Sequence, residues 1–155
     1  MAFEAWNEAR AAEIIAREKS QEGATLPVLH ALQAVFGCVP EAAVPLVAEA
    51  LNLSRAEIHG VVSFYHDFKN HPPGRHVLAL CRAEACQAMG GDALAERARH
   101  RLGLGWGETS GNDAVTLEPI FCLGLCALAP AALVDGRPVA RLDEARLDAI
   151  LGEMA

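Results

Sequence analysis

The sequence predicts an α+β protein in two parts, an amino-terminal helical bundle over residues 1–73 and a mixed helix-and-strand unit over residues 74–155. Three observations predict it. Apolar residues recur at three- and four-residue spacing through the first seventy positions, which is the helical period. The breaker cluster NHPPG at residues 70–74 then interrupts the chain. Beyond it come short alternating segments, a hairpin dipeptide and most of the cysteines.

The helical half resolves into four segments. The first is expected over residues 3–19, with Phe3, Ile14 and Ile15 among its apolar positions. Residues 21–25 form a break. Pro27 is tolerated in the first turn of the second helix, whose Val28, Leu29, Leu32, Val35 and Phe36 share one face. Gly37 ends it. A third helix is expected over residues 41–51, with Pro45 in its first turn, because a later position would remove an internal hydrogen bond. Ser54 and Glu57 form a capping box for the fourth, with Leu53 and Ile58 placed as a hydrophobic staple. Ile58, Val61, Val62 and Tyr65 continue one stripe that is expected to be buried.

In the second half, residues 76–80 (HVLAL) read as a strand that delivers Cys81 at its end. A helix is expected over residues 92–102, closed by Gly103 and Gly105. Residues 110–113 form a turn, after which Val115 and Leu117 alternate as a strand should. Asp135-Gly136 is a strong hairpin dipeptide, and Pro138 puts its second arm at a sheet edge. A last helix begins near Asp143, with Leu147, Ile150, Leu151 and Met154 on its inner face.

Composition excludes several classes of function. A net charge of −7 leaves no electrostatic footprint for nucleic acid or an anionic membrane surface. The uncharged runs at residues 23–40 and 119–134 are broken by Pro27, Pro40, Pro119, Gly124 and Pro130, so they read as core rather than as membrane spans. The first residues, MAFEAWNEARAAEII, lack the basic start and apolar stretch of a secretory signal. A cytoplasmic location is expected. In that reducing compartment five cysteines point to metal ligation or redox chemistry before disulfides.

The cysteines carry the chemistry. Cys81 and Cys86 are separated by four residues, Cys122 and Cys126 by three, and 35 residues lie between the pairs. Two loops of this kind bring four thiolates to one region, a complete ligand set for a [2Fe–2S] cluster with two sulfurs per iron. Gly124 permits a tight backbone whose amide groups can face sulfur, and Gly90 and Gly91 offer the same or simple turn-making. A structural zinc site accepts the same four ligands, although its loops are usually compact knuckles. Spacing alone favours iron–sulfur over zinc and over unligated core cysteines without closing the question. No C-x-x-C occurs, which counts against a dithiol oxidoreductase. Cys38, at the end of an apolar helix, reads as a small buried hydrophobe. His59 and His66 read as polar-face or capping residues, and Arg82 and Glu84 as loop charges with tuning or docking as the sharper alternative. No glycine-rich dinucleotide fingerprint, phosphate loop or acid–base constellation is present, so no catalytic residue is assigned.

The segments IHGVVSFY (residues 58–65), CRAEAC (81–86) and CLGLCALAP (122–130) closely resemble the thioredoxin-like [2Fe–2S] subunit shared by three systems. These are respiratory complex I, where it is the 24-kDa subunit, NAD-reducing hydrogenases, and NAD-dependent molybdenum or tungsten formate dehydrogenases. The resemblance covers residues 26–151. It implies iron–sulfur rather than zinc on Cys81, Cys86, Cys122 and Cys126, and a thioredoxin-like ferredoxin domain after the helical bundle. Within the family, NLSRAEIH (52–59), CRAEACQAMGG (81–91) and ETSGNDAVTLEPIFC (108–122) look most like the gamma subunit of the formate dehydrogenases. That resemblance implies a one-electron relay near the FMN and NAD end of a complex that oxidises formate to CO₂ and reduces NAD⁺. FMN, NAD and the molybdenum or tungsten cofactor then belong to partner subunits. The helical half is expected to dock those partners.

Overall fold

The computed structural model describes residues 3–154. It is an α+β structure whose contacts fall into two units that divide between Pro72 and Pro73.

The first unit is helical. Helix α1 (Glu8–Glu18) starts five residues later than its periodicity predicts. Asn7 is extended and accepts a hydrogen bond from the Arg10 amide, a side-chain cap that sets the start. Phe3 therefore lies outside the helix, and the Glu4 amide donates instead to the Val35 carbonyl. Helix α2 (Thr25–Phe36) carries Pro27 in its first turn and stops at Gly37, whose φ of 76° suits glycine. Helix α3 (Ala43–Leu51) ends on left-handed Asn52. Helix α4 (Arg55–Phe64) opens on the expected capping box. The Glu57 amide donates to Ser54 Oγ at 3.1 Å, and the Ser54 amide donates to the Glu57 carboxylate at 2.8 Å.

The stripes meet in one core, in which Ile14, Val28, Leu29, Leu32, Phe36, Val47 and Ile58 are all but inaccessible. Tyr65 departs from its expected place. It follows the last turn of α4 in extended conformation, and with Phe64 it is exposed. His66 likewise lies beyond the helix, and both His59 and His66 are exposed. Cys38 is buried as expected, and burial pushes its thiol pKa up.

The second unit is a five-stranded mixed sheet with helices. Strand β1 (His76–Cys81) pairs in parallel with β3 (Val115–Ile120) and antiparallel with β4 (Ala132–Val134). Strand β5 (Arg137–Val139) and the two-residue β2 (Glu108–Thr109) form the edges, giving the order β2-β3-β1-β4-β5. The hairpin turns at Asp135 and Gly136 with φ of 49° and 77°, the doubly positive signature of a type I′ turn. Pro138 sits in the edge strand, where its missing N–H costs no ladder bond.

Two helical segments join β1 to β2. The short α5 (Glu84–Ala88) has no sequence signal beyond its propensity, and α6 (Gly91–Leu102) ends at left-handed Gly103. Helix α7 (Glu144–Met154) closes the unit. Leu94, Ala95 and Ala98 of α6 pack with Leu147, Leu151 and Met154 of α7 and with Leu78, Val115 and Leu117 of the sheet. The buried Thr116 hydroxyl is satisfied by the Gly74 amide at 2.7 Å and the Thr109 hydroxyl at 2.7 Å. Among the described residues no helix is long and apolar enough to cross a membrane.

Candidate metal centre

The four expected cysteines come to the same end of the sheet because their loops leave neighbouring parallel strands. Cys81 is the last residue of β1 and pairs in register with Ile120, the last residue of β3. Two residues beyond Ile120 the chain reaches Cys122. The Arg82 amide donates to the Ile120 carbonyl and the Cys81 amide to the Ala131 carbonyl, so the ladder holds both loops at their roots. Cys86 then lies on α5, and Cys126 begins a short 3-10 turn (Cys126–Leu128).

The sulfurs stand as two pairs. Cys122 Sγ and Cys126 Sγ are 3.7 Å apart. Two thiolates on one tetrahedral metal with bonds of about 2.3 Å would be separated by roughly 3.8 Å, so this pair is already spaced to share one ion. Cys81 and Cys86 form the other pair, with their side chains in hydrogen-bond contact. Among the described residues no three His, Cys, Asp or Glu side chains converge on a single point fit for one ion. The four sulfurs are arranged two by two. The pairs also differ in access, since Cys81 and Cys86 are buried while Cys122 and Cys126 are exposed.

Backbone amides are turned towards the sulfurs. Burial opposes ionisation of Cys81, but the amides of Ala83, Cys122 and Leu123 and the Cys86 thiol donate to its sulfur. Together they hold its pKa below the ordinary thiol value. Burial pushes the Cys86 pKa up, and the neighbouring Cys81 adds to this although the Ala131 amide donates to the sulfur. Cys126 is raised chiefly by Cys122, as hydrogen-bond partner and as charge. Gly124 does what its place in the loop suggested: at φ of 74° its amide points to Cys122 Sγ at 3.4 Å. Cys122 itself has φ of 73°, a left-handed conformation that costs a non-glycine residue about 1–2 kcal/mol. Strain of this kind persists where surrounding contacts dictate a loop's shape.

Cys86 and Cys126 resist ionising beside their neighbouring cysteines, and a cationic metal removes the conflict. The amides that face sulfur then stabilise the negative charge that remains. A cluster ligated by four thiolates is such a group, and these residues fit it.

Of the two alternatives for Gly90, turn-making holds, at φ of 88°. Gly90 is no sulfur donor, because its amide is bonded to the Gln87 carbonyl. Gly91 serves close packing instead, since a Cβ there would lie 2.6 Å from the Cys86 carbonyl oxygen. Arg82 is not a solvated loop charge. Its guanidinium is 2.9 Å from the Asp92 carboxylate and lies over Trp106, 5.1 Å from the ring centroid. Glu84 is exposed. Sequence reasoning missed the Ala83, Cys122, Leu123 and Ala131 amides, which carry no residue-type signal. It also missed the Arg82 anchor, whose partners lie ten or more residues away.

Fold and site together define a ferredoxin-type protein on a thioredoxin-like scaffold. The chain belongs to the thioredoxin-like [2Fe-2S] ferredoxin family, whose model matches residues 11–155. It is 36% identical over 128 residues to one subunit of the NADH-quinone oxidoreductase of Mycobacterium tuberculosis (strain ATCC 25618 / H37Rv). That match covers 83% of this chain and 51% of the relative, so the chain spans about half the length of that protein. It is 30% identical over 133 residues to NADP-reducing hydrogenase subunit HndA of Solidesulfovibrio fructosivorans, covering 86% of this chain and 78% of the relative. Among solved structures, a chain of an NAD⁺-reducing [NiFe]-hydrogenase in the air-oxidised state superposes with a TM-score of 0.71 at 29% identity. The superposition covers 84% of this chain and 22% of that one.

Proposed function

We propose that this chain is an electron-transfer subunit that holds one [2Fe–2S] cluster on Cys81, Cys86, Cys122 and Cys126 and works inside an NAD-linked oxidoreductase complex. The observation that carries the reading is the pairing of four thiols at the ends of β1 and β3, ringed by backbone amides that face sulfur. When bound, the cluster supplies one-electron chemistry at low potential. The protein's part is to hold the ligands, dry the Cys81 side and bring the Cys122 side to the surface, where an electron can pass to a partner. The relatives' names, a quinone-linked NADH oxidoreductase and a pyridine-nucleotide hydrogenase, support the setting.

Within that setting the formate dehydrogenase complex is our reading of the terminal reaction. It is supported by the resemblance of residues 52–59, 81–91 and 108–122 to the gamma subunit of those enzymes. The partners are then a flavin subunit carrying FMN and binding NAD, and a catalytic subunit with a molybdenum or tungsten cofactor. The relatives named above favour a second reading, the equivalent subunit of complex I or of an NAD-reducing hydrogenase. Residues 1–73 serve in either case as the docking part, supported by a helical bundle that leaves Phe64 and Tyr65 exposed.

Two measurements test this. Anaerobically purified protein should contain two irons and two acid-labile sulfides per chain. Serine at Cys81, Cys86, Cys122 or Cys126 should abolish or destabilise the cluster, and Cys38→Ser should keep it. Stoichiometric zinc without sulfide would end the reading. A tagged chain should then co-purify with formate-dependent NAD⁺ reduction; recovery with a nickel hydrogenase or quinone-reducing subunits would select the second reading.

A further inference from the structure

The loop that carries Cys122 and Cys126 divides its apolar residues between two environments. Ile120, Leu123, Leu125 and Ala129 pack on the buried Cys81, Cys86 and Ala131. Phe121, Cys122, Cys126 and Leu128 are left exposed. Phe121 follows the last residue of β3 and has that apolar floor beside it, yet the ring is 72% exposed. Met89, 64% exposed, ends α5, and α5 lies against the 3-10 turn of Cys126–Leu128. A single exposed apolar side chain needs no explanation, but several around a pair of exposed sulfurs 3.7 Å apart form a patch.

Charge is missing from this surface although the chain is acidic. Residues 119–134 carry no charged side chain in a sequence of net charge −7. The charges that border the patch oppose one another. Arg141, whose amide donates to the Leu128 carbonyl at 2.7 Å, is exposed, and so is Glu84 in the first turn of α5. Arg82 is already paired with Asp92. An apolar centre with a balanced polar rim is the anatomy of a contact surface. Its complement is uncharged too, because a charged group buried against it would lose water and gain no counter-charge.

We propose that the surface of Phe121, Leu128 and Met89 around the exposed sulfur pair is where the redox partner docks, and that the partner meets it with an uncharged, apolar patch. The proposal rests on the electron-transfer reading above and adds the chemistry of the partner's surface. Phe121 is the anchor ring. Docking here covers Cys122 and Cys126 and excludes water from their side of the site. The contact uses none of the chain's acidic charge, so salt does not screen it.

The test uses the intact complex purified through a tagged full-length chain. The complex is reduced with dithionite under argon, and loss of this cluster's EPR signal is timed by freeze-quench after NAD⁺ is added. Iron and sulfide content is checked first. The wild-type rate should change less than about twofold between about 0.01 and 1 M NaCl, a range over which charge-steered contacts change about tenfold or more. Phe121→Gln should hold full iron and sulfide and slow the reaction about tenfold at every salt concentration, the scale of a lost anchor. Phe121→Leu, which keeps an apolar side chain, should retain most of the rate. Leu128→Gln carries the same test if Phe121→Gln fails to hold iron. A wild-type rate that falls about tenfold with salt, or Phe121→Gln at the wild-type rate, would overturn the proposal. So would a concentration-dependent dimer of the isolated chain that Phe121→Gln abolishes, because a second copy would then occupy the patch. Recovery of the iron-loaded chain with no redox partner would remove the complex reading and the proposal with it, whereas a salt-sensitive complex removes the proposal alone.

Discussion

Replacing Gly91 by alanine should strip iron from the site through a steric push on one ligand. The added Cβ would lie 2.6 Å from the Cys86 carbonyl oxygen and 2.9 Å from the carbonyl carbon. Carbon–oxygen contacts normally begin near about 3.3 Å, so backbone must yield by roughly 0.7 Å. Both atoms are main chain, and no flexible side chain can absorb the move. Overpacking of this kind costs about 1–3 kcal/mol. Alanine is the better helix former by at most about 1 kcal/mol, and less at the first residue of a helix, so the clash wins. The displacement falls on Cys86, which is buried and has little room to readjust.

Two other glycines serve as controls. Gly90→Ala meets no atom within 4 Å but has φ of 88°, so it should cost about 1–2 kcal/mol in backbone strain and keep its iron. Gly152→Ala, in α7 with nothing within 4 Å and no positive φ, should gain about 0.4–1 kcal/mol. Iron and sulfide analysis of the three proteins, with urea midpoints from far-UV circular dichroism, separates the cases. Full iron occupancy and an unchanged midpoint for Gly91→Ala would refute the steric argument.

Leu147→Ala removes a side chain with 0% exposure from the sheet-side core and should destabilise the chain by about 2–5 kcal/mol, read from the urea midpoint. A change within error would mean that α7 contributes little to that core. Asp148 gives a pH test. The Arg97 guanidinium, bonded through Nε at 3.0 Å and Nη2 at 2.6 Å, holds its carboxyl below the usual range. A carboxyl whose folded pKa is depressed adds stability above its unfolded pKa of about 3.9 and loses it as pH falls through the lower folded value. Asp148→Asn should therefore narrow the stability difference between pH 7 and pH 3, more visibly at low salt because the pair is partly exposed. An identical acid limb in the two proteins would remove Asp148 from the account.

Sequence alone determined whatever is decided within a few residues of chain. The capping box of Ser54 and Glu57 works over one turn, and Asp135-Gly136 makes its hairpin from two backbone conformations. Gly37 and Gly103 end their helices because glycine alone takes their φ cheaply. Cysteine spacing likewise announced two ligand loops. Tertiary contact decided the rest. Periodicity extended α1 back to Phe3, but the bond from the Glu4 amide to the Val35 carbonyl holds that stretch outside the helix, which begins at Glu8. Tyr65 fitted the apolar stripe of α4, yet the helix stops at Phe64 and leaves the ring exposed. Strand β2 has two residues and exists only because β3 offers it a partner. The same holds at the site. The register of β1 against β3 sets Cys81 near the Cys122 loop, and the amides that face sulfur come from loops some forty residues apart. Amide direction follows from how the backbone is folded, and every residue but proline carries an amide. Residue type therefore cannot announce it, whereas the thiols it serves are written in the sequence.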